Sequence, residues 1–459
     1  MNGKIQEYPV VGKKLVPLLR ELIRNKCVND GTPDSGWEIR SAETLKKFFS
    51  SYGIKTTILQ SRKGRANLLL RIPGTDPKAP SLAYMGHLDV VPANREQWSC
   101  DPFSGDLRGG FVWGRGAVDM LNITASQAVA AAELIKKNGR FAGDFIYLAV
   151  ADEEASGRLG ARWLVEKYWD KVKADYMITE LGGFFIHNKK GSGITVSRGE
   201  KGIVWARLKT KGTAGHGSLP YHADNAAIKI AEAVGRIARY KPGVQFCNEY
   251  VEMVRALAVN TRHFRRLTKK GALQKTLQAE YNRAPGLARF LHAASRMTIS
   301  PNIIKSGTKT NVIPDSGMIE LDIRILPGQT VEDVIKELEH LLGPLKEYFS
   351  IEITEYFPAN VSSTDTPLFQ ATKEIVSPVY PTAYYVPMFI GSVTDGRFWR
   401  NKGTVVYGFS LFDEEFSIDD YAGMFHGKDE RVSLKSLELA YNYFYKLPEV
   451  FFLKTRNLL

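Results

Sequence analysis

Short apolar runs alternate with helix-patterned segments over residues 57–183, and no other feature constrains the fold as tightly. "ANLLLRIPG", "SLAYMGHLD", "DFIYLAVADEE" and "ADYMITELGG" are rich in β-formers and too continuously apolar to leave one face wet. Between them "ITASQAVAAAELIKKNG" (123–139) reads as a helix stopped by Gly139, and "GRLGARWLVEKYW" (157–169) as another. Strands that alternate with helices predict an α/β sheet covered on both faces.

The pattern changes near Gly202. "GIVWARLKTKG" alternates like a half-buried strand, and the order that follows is β-α-β-β-α-β, the split βαβ pattern of a small domain with one open sheet face. A mostly helical, basic insertion interrupts it at about 243–297, between the first helix and the second strand. After residue 357 strand and helix return, ending in the helix "SLKSLELAYNYFYKL". The expected domains are therefore 1–199 with 358–459, and an inserted 200–357. A chain of 459 residues is also too long for one ordinary core.

Composition excludes more than it selects. Apolar residues at 44% and charged residues at 24% are ordinary for a globular protein. No apolar run approaches the ~18–20 residues that span a bilayer, so no membrane partner is expected. "MNGKIQEYPVVGKKLV" has no apolar signal-peptide region, which makes a cytoplasmic location the expectation. Cys27, Cys100 and Cys247 are far apart and odd in number, which fits lone buried thiols rather than a disulfide framework or a cysteine metal site. The net charge of +13 is spread along the chain. Its densest cluster, residues 261–275, reads as a solvated helix face, and without a nucleic-acid motif no nucleic-acid partner is expected.

Polar residues gather where the strands end. His87 and Asp89 close "SLAYMGHLD", Asp119 lies in "GRGAVDM" before a helix, Asp152, Glu153 and Glu154 close "IYLAVADEE", Glu180 closes "DYMITE", and His426 lies in "GMFHGKDE". Open α/β sheets build their sites at the carboxyl ends of strands. A lone histidine after a strand is more often structural, "DEE" alone is usually a solvated turn, and "GRGAVDM" alone is a glycine loop or an anion site at a helix start. Together they suggest one crevice. Carboxylates gathered there repel each other unless a cation neutralises them. Two histidines and three carboxylates suit a two-metal site with nitrogen and oxygen ligands. The pair Glu153-Glu154 offers one side chain for metal and one for water. Asp89, two positions from His87 along a strand, points the same way and suits a carboxylate that orients the imidazole.

The ordered set "MGHLDVVPANREQWSCDPFSGDLRGGFVWGRGAVDM", "ADEEASG", "AGHGSLP", "TKTNVIPDSGMIELDIRILPG", "GSVTDGRFW" and "MFHGKDE" resembles the di-zinc metallopeptidase and aminoacylase family. That family holds glutamate carboxypeptidases, aminoacylases, dipeptidases, acetylornithine deacetylases and succinyl-diaminopimelate desuccinylases. The resemblance implies a zinc-exopeptidase-like α/β/α catalytic domain with an inserted ferredoxin-like (βαββαβ) lid and dimerisation domain. It implies two Zn²⁺ per chain, with Co²⁺ or Mn²⁺ able to share the ligands. His87 and Glu180 would hold one ion, Glu154 and His426 the other, and Asp119 would bridge them, with a cis peptide to Met120. Glu153 would be the general base for a bridging water, and Asp89 would orient His87. His216, from the inserted domain, would stabilise the oxyanion, entering the neighbouring subunit's site in dimeric members. Asn311 and Arg324 would grip the substrate carboxylate, and Gly391 would offer it a backbone contact.

Where family members often read "DMKGG", this chain reads "DMLNI" from Asp119, and its inserted domain carries the extra helices. These helices could cover or replace the family's homodimer interface on the lid. The implied reaction is hydrolysis of an amide bond beside a free carboxylate, in a dipeptidase or carboxypeptidase. The alternative is an N-acyl-amino-acid deacylase. A catalytically dead scaffold is disfavoured by the intact set His87, Asp89, Asp119, Glu153, Glu154, Glu180 and His426.

Overall fold

The computed structural model describes residues 9–456 other than 33. Ten strands form a large sheet. Its central run is parallel: Phe145–Val150, Leu82–His87, Tyr176–Thr179 and Val405–Gly408 lie side by side. Every residue of Leu82–His87 and Phe145–Val150 is buried, as expected for strands covered on both faces. Antiparallel strands flank this run, with Arg65–Ile72 beside Phe145–Val150 and Thr57–Arg62 at the edge. Parallel pairing aligns the carboxyl ends of the central strands, so His87, Ala151 and Glu180 leave the sheet at one rim.

The helices expected on the faces are present. Leu121–Asn138 ends at Gly139, whose φ of 71° a residue with a Cβ adopts poorly. Its alanines Ala125, Ala128, Ala130, Ala131 and Ala132 are fully buried, which lets it approach the sheet and the long helix Leu434–Arg456 closely. Among the described residues no helix is long and apolar enough to cross a membrane.

The chain leaves this sheet at Glu200, and Gly202 opens a second, four-stranded sheet. The order is Thr298–Ser306, Ser316–Ile325, Gly202–Lys211, Phe349–Phe357, and all neighbours are antiparallel. Burial alternates along Phe349–Phe357, so one face is packed and the other wet. Ala226–Arg239 and Val331–Leu342 cover the packed face through Ile230, Ala233, Val334 and Leu338. Asn225 caps the first helix, and Thr330 with Asp333 forms a capping box on the second. A Cβ on Gly202 would come within 2.6 Å of Phe357 O, so glycine permits the outgoing and returning strands to touch.

The insertion is four helices, Asn248–Leu257, Thr261–Leu267, Lys270–Tyr281 and Pro285–Ala294. It packs against the large domain. Tyr250, Met253, Leu257, Leu273 and Leu291 share one core with Phe184, Met388, Ile418 and Tyr421. Each such buried side chain is worth ~1.5–3 kcal/mol relative to exposure. Cys27 and Cys100 are buried as expected, whereas Cys247 at the start of the insertion is only half-buried.

Candidate active site

His87, Asp119, Glu153, Glu154, Glu180 and His426 converge at the rim of the large sheet. The imidazole of His87 is 1% exposed, with Nε2 3.1 Å from Asp119 Oδ1 and 3.7 Å from Glu180 Oε2. His426 comes from the other side, with Nε2 3.3 Å from Asp119 Oδ2 and 3.1 Å from Glu154 Oε2. The two oxygens of Asp119 therefore face two different histidines, each accompanied by its own glutamate. The Asp119–Met120 peptide is cis.

Local structure explains each placement. A Cβ on Gly408 would come within 1.7 Å of Glu180 O, so glycine lets the neighbouring strand run close beside Glu180. The "DEE" segment is a tethered turn rather than a solvated one. Asp152 adopts a left-handed φ of 70°, and Arg65 Nη2 donates to its Oδ1 at 2.7 Å. Leu159 N donates to its Oδ2 at 2.9 Å. Arg65 also clasps Glu38, which is fully buried.

Asp89 lies where the sequence puts it but acts through different atoms. The partner of His87 Nδ1 is the Asp89 backbone carbonyl at 2.8 Å, while its carboxylate Oδ1 is 3.8 Å away. That carboxylate instead accepts from Glu153 N at 3.2 Å, Glu154 N at 3.1 Å and Asn29 Nδ2 at 2.8 Å. The loop N–H groups point at Asp89 and claim it first. One residue thus fixes both the histidine and the glutamate pair.

A second anchor escapes sequence reasoning. Glu430 accepts from the backbone N–H groups of Gly116, Val118 and Asp119 at 3.0, 2.7 and 2.8 Å. Arg115 Nη1 pairs with Glu430 at 2.9 Å, and its Nη2 donates to Gly427 O at 2.8 Å. The turn carrying Asp119 and the loop carrying His426 are thereby tied together. Arg115 and Glu430 stand inside the quoted segments "GRGAVDM" and "GMFHGKDE", and their opposite charges are the signal that could have marked them.

The electrostatics favour a bound cation. Burial pushes Glu154 and Glu180 each up to about 7, and burial with the charges of Glu180 and Asp395 raises Glu153 well above the carboxylate range. Burial opposes an imidazolium at His426, yet hydrogen bonds to Asp119 and Glu154 lift it to about 10. Burial also works against Asp119, but the two histidines hold its carboxyl below its usual value. Nitrogen and oxygen donors from His87, Asp119 and Glu154 lie within 4.8 Å of one another, as do those of His87, Glu153 and Glu180. Four carboxylates and two imidazoles gathered this closely are a nitrogen and oxygen donor set that suits a divalent metal.

Residues 83–449 match the profile described as Peptidase family M20/M25/M40. The chain belongs to that family. It is a metal-dependent hydrolase acting on amide bonds. Over 392 residues it is 27% identical to N-fatty-acyl-amino acid synthase/hydrolase PM20D1 of Homo sapiens, covering 83% of this chain and 76% of that protein. A probable succinyl-diaminopimelate desuccinylase of Staphylococcus aureus is 25% identical over 391 residues, 84% of this chain and 88% of that one. The fold resembles that of an M20 family metallo-carboxypeptidase, Sso-CP2 from Sulfolobus solfataricus, with a TM-score of 0.73 at 19% identity over 96% and 100% of the two chains.

Among the described residues, no hydrogen bond or ion pair joins His216, Asn311, Arg324 or Gly391 to the carboxylate cluster. His216 and Asn311 share a two-stranded patch, with His216 paired to Val312 and Gly217 N donating to Asn311 O at 2.8 Å. His216 is exposed, and its Nδ1 meets Ser218 alone, the hydroxyl at 2.7 Å and the backbone N–H, which donates to it at 3.2 Å. Arg324 is half-buried and held by Asp322 through Nε at 2.7 Å and Nη2 at 3.0 Å. Gly391 closes the strand Tyr384–Ile390 and lies against Ala293 of the insertion. His222 is exposed with a φ of 54° and its ring against Tyr221.

Proposed function

We propose that the chain holds two divalent metal ions, zinc being the first candidate, and cleaves the amide bond next to a free carboxylate in a dipeptide-like substrate. The observation that carries this reading is Asp119, whose two oxygens face His87 and His426 at 3.1 and 3.3 Å. One carboxylate between two histidine–glutamate pairs is the arrangement a bridging ligand requires. His87 and Glu180 form one half of the site, and His426 and Glu154 the other.

Bound metal supplies Lewis-acid polarisation of the scissile carbonyl and makes water acidic enough to react near neutral pH. The chain's own residues do the rest. Glu153 takes the proton of the attacking water and passes it to the leaving amine. Its elevated proton affinity, caused by burial and by Glu180, suits that exchange. Asp89 keeps Glu153 in reach through the Glu153 N–H, and holds the His87 ring through its own carbonyl. Arg324 and Asn311 bind the substrate carboxylate, Arg324 as a fork once its hold on Asp322 loosens. Gly391 contributes backbone contact, and His216 steadies the oxyanion.

This assignment requires residues 200–357 to act as a ferredoxin-like lid that closes over the rim formed by residues 1–199 and 358–459. The exposure of His216 in this structure supports a closing motion. A homodimer through the lid and a cytoplasmic location belong to the same proposal. The N-acyl-amino-acid deacylase remains the second reading, favoured by the names of the two relatives by sequence. The test is product analysis by mass spectrometry on a panel of dipeptides and N-acyl amino acids, with and without chelator. Chelator-sensitive cleavage of dipeptides supports the peptidase. Cleavage of the acyl compounds alone moves the assignment to the deacylase, and chelator-insensitive cleavage contradicts both.

A further inference from the structure

A group of buried cations lies outside the carboxylate cluster, where the insertion meets the hinge between the sheets. Lys201 joins the two sheets and is 1% exposed. Its ammonium donates to Arg296 O at 2.7 Å, Ala293 O at 3.0 Å and Thr298 Oγ1 at 3.2 Å, all neutral acceptors. Its backbone N–H donates to Ile390 O at 3.0 Å, one residue before Gly391. Thr298 is the cross-strand partner of Arg324. Lys201 therefore sits between the two positions assigned above to the substrate carboxylate, Gly391 and Arg324.

Arg296 lies beside it. The residue is 5% exposed, its Nε meets only Ser295 Oγ at 3.2 Å, and its Nη2 is buried without a partner. Arg324 Nη1 is likewise buried and unpartnered. Among the described residues, Asp322 is the only carboxylate bonded to any of these three cations. With one carboxylate among them, these cations are under-compensated in a desolvated place, which is costly unless an anion arrives or the lysine gives up its proton. Burial, reinforced by the charge of Arg324, pushes the Lys201 ammonium down to about 7, which expresses that deficit. One substrate carboxylate, taken by Arg324, leaves the buried Arg296 still without an anion.

We propose that Lys201 and Arg296 form a subsite for a second anionic group on the carboxyl-side residue of the substrate, so that the amino acid released is acidic. Arg324 takes the α-carboxylate, and its neighbours take a side-chain carboxylate of the aspartate or glutamate type. The longest Lys201 bond, to Thr298, is the one exchanged for the incoming anion. Arg296 belongs to the stretch this chain has inserted, so the insertion would set specificity as well as cover the large domain. The inference rests on the assignment of Arg324 to the substrate carboxylate.

The test is isothermal titration calorimetry of the metal-loaded full chain with free glutamate and with norleucine, which match in size and differ in charge. Glutamate is expected to bind at least about tenfold more tightly, the value of one charge-assisted hydrogen bond. That margin is expected to collapse towards one in R296M and in K201M. Norleucine binding as tightly as glutamate to the unmodified protein overturns the proposal, and needs no variant to do so. A margin that survives in both variants overturns it too, because the charge is then read elsewhere. The hydrolase reading fails separately: a glutamate preference with no cleavage of the dipeptide and N-acyl panel refutes the reaction and not the subsite.

Discussion

The two glutamates of the turn 153–155 are neighbours in sequence with different surroundings. Glu154 meets His426 at 3.1 Å, whereas Glu153 has its backbone on Asp89 and its carboxyl deep beside Glu180. Glu153→Gln keeps the volume and removes the base. Turnover should fall by ~10²–10⁴-fold, while metal content by mass spectrometry stays unchanged. Loss of metal in that variant would mean that Glu153 is a ligand. Glu430 gives a different expectation, because it touches no reacting atom. Glu430→Ala strands the buried Arg115 and three backbone N–H groups, at a cost of ~3–5 kcal/mol in chemical denaturation. Glu430→Gln should retain the fold and weaken metal binding by ~10–100-fold in a chelator competition. Equal metal affinity in that variant would remove its positioning role. His87, Glu153, Glu154 and Glu180 can be read from sequence because strand ends announce themselves, whereas Asp119 and His426 stand beside helices and are marked by the motifs around them. Glu430 cannot be read the same way: its partners are mostly backbone N–H groups of a turn more than 300 residues earlier in the chain. The carbonyl contact from Asp89 to His87 is equally invisible, since spacing gives direction and not which oxygen arrives.

At the scale of elements, the parallel strands and their covering helices follow from continuous apolar runs and helical periodicity. The small sheet follows from alternation, as in "FSIEITEYF", where every second residue is exposed. Periodicity also marks the insertion as helical. It carries no information about which surface those helices cover, and Leu291, Tyr250 and Met253 turn out to pack on the large domain. Leu291 is 1% exposed. Leu291→Ala should destabilise the protein by ~2–5 kcal/mol if unfolding is cooperative. Hydrogen exchange should rise first across 248–294, since a cavity there loosens the insertion before the sheet. Exchange that rises evenly over the whole chain would show that the insertion is no separate unit.

At the scale of the whole molecule the two sheets are joined at residues 200–202 and 357–360, with the ionisable cluster at the rim of the large one and His216, Asn311 and Arg324, proposed for the oxyanion and the substrate carboxylate, in the segment between the joints. Chemistry of the proposed kind requires them to meet. His216→Ala should lower kcat by ~10²–10³-fold and leave metal content intact. An unchanged kcat would remove His216, and with it the closure, from the mechanism.

The central claim is that Asp119 joins two metal ions in one catalytic site, and metal titration of the chelated protein tests it most directly. Activity on the best substrate of the panel is followed as zinc is returned, with bound metal counted per chain. The account predicts activity that needs metal and saturates at two ions per chain. Full activity in the presence of chelator, or saturation at a single ion, would contradict it.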